Sequence, residues 1–243
     1  MKKPEGHNPV PAALRPQQEK APQQPGISVS LTLFAKGGME HKLEKKCTLY
    51  VFNFTKLASG KCRYDAGIAA HCLKDWNAQG VQHDVSVVSS DRIGSMEEVQ
   101  TRVMPGYKSK ADVATSQDTG YLSFVSACSQ DDRRIPIWKL AEDDEEPPAD
   151  SVCLAATSDG FFVTRFKIDE AHPKLYYADA KPFTDVIGAK GEPRLSHSGS
   201  ALLFQNRVIG TCVGIPSDRS QSGFYSTGKE SLQWLRKQTG DSK

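Results

Sequence analysis

A serine in a tight polar turn is the first residue whose setting suggests chemistry. Residues 194–215 read RLSHSGSALLFQNRVIGTCVGI and place Ser198 just before an apolar strand pair. A hydroxyl that attacks a carbonyl needs a turn that projects it outward, and backbone N–H groups that converge on the developing oxyanion. Gly199 lets the chain turn sharply, and the N–H groups of Ser196 and Ser198 can form the oxyanion hole. Ser198 is therefore the candidate nucleophile.

This turn and a histidine motif upstream together resemble a known enzyme family. SHSGSALLF followed by NRVIGTCVGIP resembles the serine loop and hairpin of chymotrypsin-like serine peptidases, closest to GNSGSP and VIGI in glutamyl endopeptidases and related viral enzymes. IAAHC, which contains His71, resembles the family's TAAHC, whose histidine is the general base. Histidine suits this role because its unperturbed pKa of about 6.5 lets it accept and return a proton near neutral pH. Two residues depart from the family pattern: Ser196 replaces the usual Gly, and His197 replaces Asp or Asn.

An aspartate completes the catalytic set that the resemblance implies. The family places this residue at the start of a buried strand, and Asp118 in DTGYL fits. Its carboxylate would accept the Nδ1–H of His71 and stabilise the imidazolium. Asp112 in KADVA is the main alternative, and Asp84 is a weaker one. The chain order His71, Asp118, Ser198 is that of the chymotrypsin-like arrangement.

The composition fits a soluble globular protein. Of 243 residues, 38% are apolar and 25% are charged, and 31 Lys and Arg against 29 Asp and Glu give a net charge of +2. Positive and negative charges are thus nearly equal in number, which indicates no nucleic-acid or membrane partner. No apolar run approaches the ~20 residues of a membrane span, and the first residues, MKKPEG, do not lead into an apolar signal region.

The cysteines predict neither a metal site nor disulfides. Six are scattered along the chain without a CxxC pair or a close Cys/His spacing, so no metal or cofactor is expected. The family resemblance implies a disulfide from the cysteine after the catalytic histidine to an earlier one, but neither Cys62 nor Cys47 has the family's spacing from Cys72. The sequence therefore predicts free thiols and a reducing compartment, with the cytoplasm favoured over secretion.

Strands dominate the expected secondary structure. Residues 1–26 hold six of the fourteen prolines and four glutamines, which predicts a flexible arm. ISVSLTLFA at 27–35 and CTLYVFNF at 47–54 alternate as strands do. The resemblance implies an all-β fold of two six-stranded antiparallel β-barrels with a C-terminal α-helix. We expect the N-terminal barrel within 27–140.

The second half begins after an acidic linker. EDDEEPPAD at 142–150 combines five consecutive acids with two prolines, and we place the inter-barrel linker at 141–150. The C-terminal barrel and terminal helix then occupy 151–243, opening with a hairpin turn at 158–160. Thr227 and Glu230 predict a capping box at the start of the helix, and Gly240 can end it.

The resemblance implies a serine endopeptidase that works through an acyl-enzyme in the cleft between the barrels. A protein or peptide substrate would bind as an extended strand beside residues 213–215, which include Val213 and Gly214. The enzyme is expected to be a monomer. His197 stands where zymogen-activated relatives have the Asp that pairs with a newly freed N-terminus, so activation by N-terminal cleavage is not expected.

Specificity rests on two further positions. Glu192 lies six residues before Ser198, where trypsin-like relatives hold the carboxylate that selects Lys or Arg. Relatives that prefer Glu or Gln carry a histidine where this chain has Cys212. These residues favour a cationic residue before the scissile bond. Alternatively, Arg194 neutralises Glu192 and the pocket is small and apolar.

Two rival hypotheses remain open from the sequence. The departures at Ser196 and His197 also fit a catalytically inactive binding module of the same fold. If the chain is an enzyme, it is either a bacterial peptidase acting on diverse proteins or a viral protease released from a polyprotein. The Pro/Gln arm, the expected free thiols and the serine turn favour the viral enzyme.

Overall fold

Two seven-stranded sheets make up most of the structure. The computed structural model describes residues 25–35, 42–76, 82–108, 117–128, 135–143, 145–168, 175–181, 193–216 and 222–239. In the first half the elements are β1 (Ile27–Ala35), β2 (Lys42–Lys56), β3 (Lys61–Ile68), α1 (Ala70–Leu73), β4 (Lys74–Trp76), β5 (Gln82–Ser89), β6 (Glu97–Val103) and β7 (Gly120–Ala127). In the second half they are β8 (Lys139–Leu140), β9 (Val152–Thr157), β10 (Gly160–Ile168), β11 (Leu175–Asp179), β12 (Ala201–Phe204), β13 (Arg207–Gly214), β14 (Gly223–Thr227) and α2 (Lys229–Gln238).

The strand order of each sheet matches the predicted barrel class. The first sheet has the order β4-β5-β1-β2-β3-β7-β6, and every pairing is antiparallel. In the second, β12-β9-β10-β11-β14-β13 closes into a barrel because β12 also pairs with β13, and β8 adds to β13 in parallel. The predicted all-β fold with two barrels and a C-terminal helix is confirmed. Each sheet has seven strands instead of six because short β4 and β8 are added.

Alternating side chains make the strands and the two cores. In β1, Ile27, Val29 and Leu31 are buried while Ser28 and Ser30 are exposed, so one face packs inward. Buried apolar residues separate into two clusters, one inside each sheet. Each half therefore has its own core, and the site described below lies where the two halves meet.

The terminal helix forms, but its predicted cap does not. The residue before α2 is Gly228, which has no side chain to cap the helix. Thr227 ends β14 instead, and its buried Oγ1 accepts a hydrogen bond from the Thr211 N–H at 3.2 Å. The capping-box prediction was wrong because the strand uses this hydroxyl. Leu232 and Leu235 face the second core, and Gly240 lies outside the described residues. Neither described helix is long and apolar enough to cross a membrane.

The acidic stretch lies against the second half. Asp143 forms an ion pair with Arg236 of α2 at 2.8 Å, which lowers the pKa of its carboxyl. Glu145 pairs with Arg207 of β13 at 3.3 Å. Two-residue β8 precedes this stretch and already pairs with β13, so the chain passes from the first sheet to the second before the acidic run begins.

The prediction of six free thiols was wrong. Cys47 is bonded to Cys72, and Cys62 is bonded to Cys128. The antiparallel pairing of β3 with β7 places Cys62 opposite Ser126, only two residues from Cys128. Spacing along the chain could not reveal this proximity. Because the argument for a reducing compartment relied on free thiols, that argument fails as well. The remaining thiols, Cys153 and Cys212, are buried.

Candidate active site

His71 and Asp118 meet because their neighbouring strands are paired. His71 lies in the short helix α1, which follows the end of β3, and Asp118 lies two residues before β7. The two strands are antiparallel with Ile68 opposite Gly120, so the end of one lies beside the start of the other. The topology therefore places a histidine and a carboxylate, 47 residues apart in sequence, at one corner of the first sheet.

The Asp118 carboxylate holds His71 at two points. Its Oδ2 lies 2.8 Å from His71 Nδ1, and its Oδ1 accepts a hydrogen bond from the His71 backbone N–H at 2.9 Å. Asp118 is only 1% exposed, so water does not compete for these bonds. With Nδ1–H donated to the carboxylate, the neutral ring keeps the Nε2 lone pair for accepting a proton. This arrangement gives His71 the tautomer and orientation of a general base.

A lysine fixes the same helix from another strand. Lys45 of β2 donates through Nζ to the His71 carbonyl oxygen at 2.7 Å and forms an ion pair with Asp75. Sequence reasoning missed Lys45, because its charge resembles that of an ordinary solvent-facing strand residue. Of the two alternative carboxylates, Asp84 does not join the site. Asp84 lies on β5, where it accepts hydrogen bonds from Gln82, and Asp112 lies outside the described residues.

Gly199 brings the serine turn against the strand end that leads to His71. Its φ is +93°, and a Cβ there would lie 2.0 Å from the Thr48 carbonyl oxygen and 3.1 Å from the Ala69 nitrogen. Only glycine fits this left-handed position and this close approach. Thr48 of β2 donates its N–H to the Ser198 carbonyl at 2.9 Å and its Oγ1–H to the Ser196 carbonyl at 3.0 Å. The buried Ser198 is thus placed beside the His71 segment by backbone contacts.

Strand β13 supports the turn from the other side. The Gly199 N–H donates to the Cys212 carbonyl at 2.6 Å, and the Cys212 N–H donates to the Ser200 carbonyl at 2.8 Å. The Cys212 side chain is fully buried in the second core, which raises its pKa. Val213 is also buried, and Gly214 is half-buried. The structure therefore places the Cys212 thiol away from the surface, while Glu192, the other predicted specificity residue, lies outside the described residues.

The two predicted oxyanion donors do not converge in this conformation. Leu195–His197 forms a single 3₁₀ turn, in which the Ser198 N–H donates to the Leu195 carbonyl at 3.2 Å. The Ser196 N–H belongs to the same trans peptide as that carbonyl, so it points the opposite way. The predicted hole is thus closed by the Leu195 oxygen. The Leu195 side chain is 67% exposed beside it.

His197, the residue before the nucleophile candidate, has a partner that sequence reasoning missed. Nε2 of its buried ring lies 2.9 Å from Asp159 Oδ2, and Nδ1 accepts a hydrogen bond from the Arg194 N–H at 3.0 Å. Asp159 belongs to the β9–β10 turn, which the sequence predicted only as a hairpin. A buried histidine needs hydrogen-bond partners for its ring nitrogens. This need was the one available reason to expect a contact such as that with Asp159. No group of three or more His, Cys, Asp or Glu in the described ranges is arranged to hold a metal.

Comparisons with known proteins bear on the fold. No protein-family profile matches the chain, and no curated protein matches it in sequence. Solved structures do match. An inactivated protease paralogue of the scabies mite has a TM-score of 0.54 at 13% identity, covering 88% of this chain and 95% of its own. A thermostable serine protease from an extremophilic microorganism gives 0.53 at 11%, covering 91% and 100%. Human heparin binding protein gives 0.51 at 13%, covering 93% and 96%.

Two of these structures are named as an inactivated protease paralogue and as a serine protease. At 11% to 13% identity the likeness extends to the fold, and it includes a protein named as inactivated, so catalysis has to be argued from the site residues. Together with the two barrel-like sheets and the terminal helix, the comparisons identify this chain as a protein of the trypsin fold.

Proposed function

We propose that the chain is a serine endopeptidase that hydrolyses peptide bonds through an acyl-enzyme. Ser198 is the nucleophile, His71 the general base and Asp118 the group that orients His71. The observation that carries the proposal is the two-point hold of Asp118 on His71, at 2.8 and 2.9 Å, in a buried setting. Such a hold fixes one tautomer with Nε2 free, which is what a base for a serine hydroxyl requires.

The chemical step follows from these roles. Ser198 Oγ bonds to the substrate carbonyl carbon while His71 Nε2 takes the hydroxyl proton. The imidazolium, stabilised by Asp118, then gives that proton to the leaving amine, and the C–N bond breaks to leave an ester on Ser198. Water attacks the ester in the same way, with His71 again accepting a proton. The acid product leaves and the serine hydroxyl is restored.

Stabilising the oxyanion requires one backbone change from the conformation described above. Rotating the Leu195–Ser196 peptide by about 180° would remove the Leu195 oxygen from the Ser198 N–H and turn the Ser196 N–H towards the same point. A single peptide flip therefore creates both donors. We infer that substrate binding beside the exposed Leu195 favours the flipped state.

The substrate class follows from β13. We propose that an extended protein or peptide segment adds as a strand beside residues 213–215, next to Ser198. Glu192 is proposed to select a cationic residue before the scissile bond. Processing of a polyprotein stays a prediction from the sequence, and the disulfides remove one of its supports, the expected free thiols. A monomeric state is likewise still a prediction.

A fluorophosphonate probe tests the catalytic proposal directly, because it reacts with an activated serine: Ser198 Oγ bonds to phosphorus and fluoride leaves. The wild-type protein should form a 1:1 adduct located on Ser198 by peptide mass spectrometry. Ser198→Ala and His71→Ala should form none, while circular dichroism shows that both remain folded. Absence of labelling in folded wild-type protein would sink the proposal.

One observation favours a second candidate function, a non-catalytic binding module. The closed turn, with Ser198 N–H donated to Leu195, lacks a site for an oxyanion in its described conformation. If this turn never opens, the fold would present its strand edge to a peptide without cleaving it. The same probe separates the two: an unlabelled wild type that still binds peptides identifies the module.

A further inference from the structure

The side chain of His197 is fully committed to two hydrogen bonds. Its Nδ1 accepts the Arg194 N–H at 3.0 Å, and its Nε2 lies 2.9 Å from Asp159 Oδ2. A neutral imidazole has one donor and one acceptor. Because Nδ1 is the acceptor here, the ring proton must be on Nε2, where it is donated to Asp159. The Arg194 N–H and the Asp159 carboxylate together favour this tautomer.

The surroundings of the ring favour this neutral form. Phe162 and Phe224 pack around it, with ring centroids at 5.4 and 6.2 Å. The charged groups that face it are the Asp159 carboxylate and the Arg194 guanidinium, whose Nη1 lies 4.0 Å from Asp159 Oδ2. Burial is the larger influence, and it lowers the pKa of His197 against the opposing effect of Asp159.

His197 also links the residues on either side of Ser198. Its N–H donates to the Arg194 carbonyl at 2.9 Å, and its carbonyl accepts the Ser200 N–H at 3.0 Å. Ring and backbone therefore bind both polar groups of the Arg194 main chain, so the two ends of the serine turn are fixed together. The Leu195–Ser196 peptide between these ends takes no part in the bonds to the ring.

Asp159 in turn is held on a firm element. Its N–H donates to Thr157 Oγ1 at 3.2 Å, and that hydroxyl donates to the Gly160 carbonyl at 2.9 Å. The carboxylate thus projects from a hairpin turn in which two hydrogen bonds join Thr157, Asp159 and Gly160. A carboxylate on a braced turn, bonded to a buried ring next to a nucleophile, is the geometry of a positioning group.

We propose that Asp159, acting through His197, is a positioning residue for the Ser198 turn. The inference rests on the proposed function for its effect on rate. Without the carboxylate, the buried Nε2–H has no acceptor there, which costs free energy unless the ring turns to another acceptor. Turning the ring breaks the hydrogen bond from the Arg194 N–H to Nδ1, and the turn would loosen. Ser198 would then sample more positions, so the rate of acylation falls while substrate affinity changes little.

The test compares Asp159→Ala with Asp159→Asn. The asparagine carbonyl oxygen still accepts the Nε2–H, whereas alanine offers no acceptor. We expect phosphonylation of Ser198 by the fluorophosphonate probe to slow about ten-fold or more in the alanine variant, and to stay within about three-fold of wild type in the asparagine variant. Peptide hydrolysis should show the loss in kcat, with KM nearly constant. Asp143→Ala, which removes a carboxylate paired with α2, is the matched control and should behave as wild type.

Equal rates in wild type and Asp159→Ala would overturn the inference, as would equal losses in the alanine and asparagine variants. If alanine prevents folding, Asp159→Leu supplies the variant without an acceptor. Ring ¹⁵N NMR provides a readout that needs no activity: wild-type His197 should be the Nε2–H tautomer with a hydrogen-bonded Nδ1, and the alanine variant should lose the hydrogen bond at Nδ1. If the probe never labels the wild type, only the proposed function fails. The inference is then decided by this hydrogen bond and by amide exchange of Ser200, which should quicken in the alanine variant only.

Discussion

The Leu195 carbonyl oxygen occupies the place where the N–H of Ser198 would meet an oxyanion, at 3.2 Å from that nitrogen. In this conformation of the serine turn, the oxyanion position is therefore closed. Opening requires the φ of Ser196 to change by about 180°, which carries a helical value to the positive side, where residues other than glycine are strained. Serine at position 196, where the family usually has glycine, is therefore strained when the turn opens.

We expect Ser196→Gly to speed phosphonylation of Ser198 about five-fold or more, because strain of about 1 kcal/mol or more at a positive φ is removed. Stopped-flow measurement of the second-order rate with a fluorophosphonate gives this quantity. Ser196→Ala removes the hydroxyl but keeps the Cβ, so it should show no such increase. A glycine variant no faster than wild type would mean that the turn does not limit the reaction.

Asp118→Asn tests the third member of the triad. Its amide would present a donor where His71 Nδ1–H needs an acceptor, so the wrong tautomer is favoured and kcat should fall by up to about 10⁴-fold. Asp84→Asn, on β5, should retain the wild-type rate. The assignment is wrong if Asp112→Asn is inactive while Asp118→Asn keeps its rate.

The disulfides predict two titratable thiols in the denatured, unreduced protein, those of Cys153 and Cys212. Replacing both Cys47 and Cys72 by serine should lower the free energy of unfolding by about 3 kcal/mol, since the bond closes a loop of moderate length. Activity should fall too, because Cys72 follows His71 and its sulfur lies 3.9 Å from the Ser198 carbonyl oxygen. Replacing the Cys62–Cys128 pair serves as control: stability should drop with a smaller change in kcat. A count of six thiols would refute the bonds.

The buried His197 predicts how stability depends on pH. Its folded pKa lies below the ordinary value of about 6.5, so the folded state resists a proton that the unfolded chain binds. This contribution is complete above pH ~6.5 and is lost as the pH falls below that value. Urea unfolding of wild type between pH 7.5 and 5 should show the decline, at no more than about 1.4 kcal/mol per pH unit from this group. In His197→Gln the decline should be shallower; an identical slope would exclude His197 as its source.

Specificity can be tested by cleavage of a peptide library. Glu192 predicts a preference for Lys or Arg before the scissile bond, because a carboxylate gains from pairing with a cation. Glu192→Gln should reduce that preference at least ten-fold in kcat/KM. A preference for acidic or small apolar residues that this substitution leaves unchanged would rule the idea out.

Local patterns predicted more of this structure than did distances along the chain. Alternation of apolar residues was sufficient for β1, and the resemblance of IAAHC and DTGYL to family motifs placed His71 and Asp118 at strand ends. Partners across the fold were harder to predict. Cys62 meets Cys128 only because of strand register, and Asp159 meets His197 only because two turns of the second sheet lie together. Thr227 matched a helix cap in sequence, yet a neighbouring strand uses its hydroxyl. The orientation of the Leu195–Ser196 peptide cannot be deduced from the amino-acid composition.

The close approach of Gly199 to Thr48 means that the two barrels touch main chain to main chain beside Ser198, the proposed nucleophile. There is no side-chain layer at this point to absorb a relative displacement of the halves. The proposed base and its aspartate come from the first barrel, and the proposed nucleophile comes from the second. Neither barrel alone holds a complete reaction centre, so catalytic competence would be a cooperative property that is lost whenever either half unfolds or the pair separates.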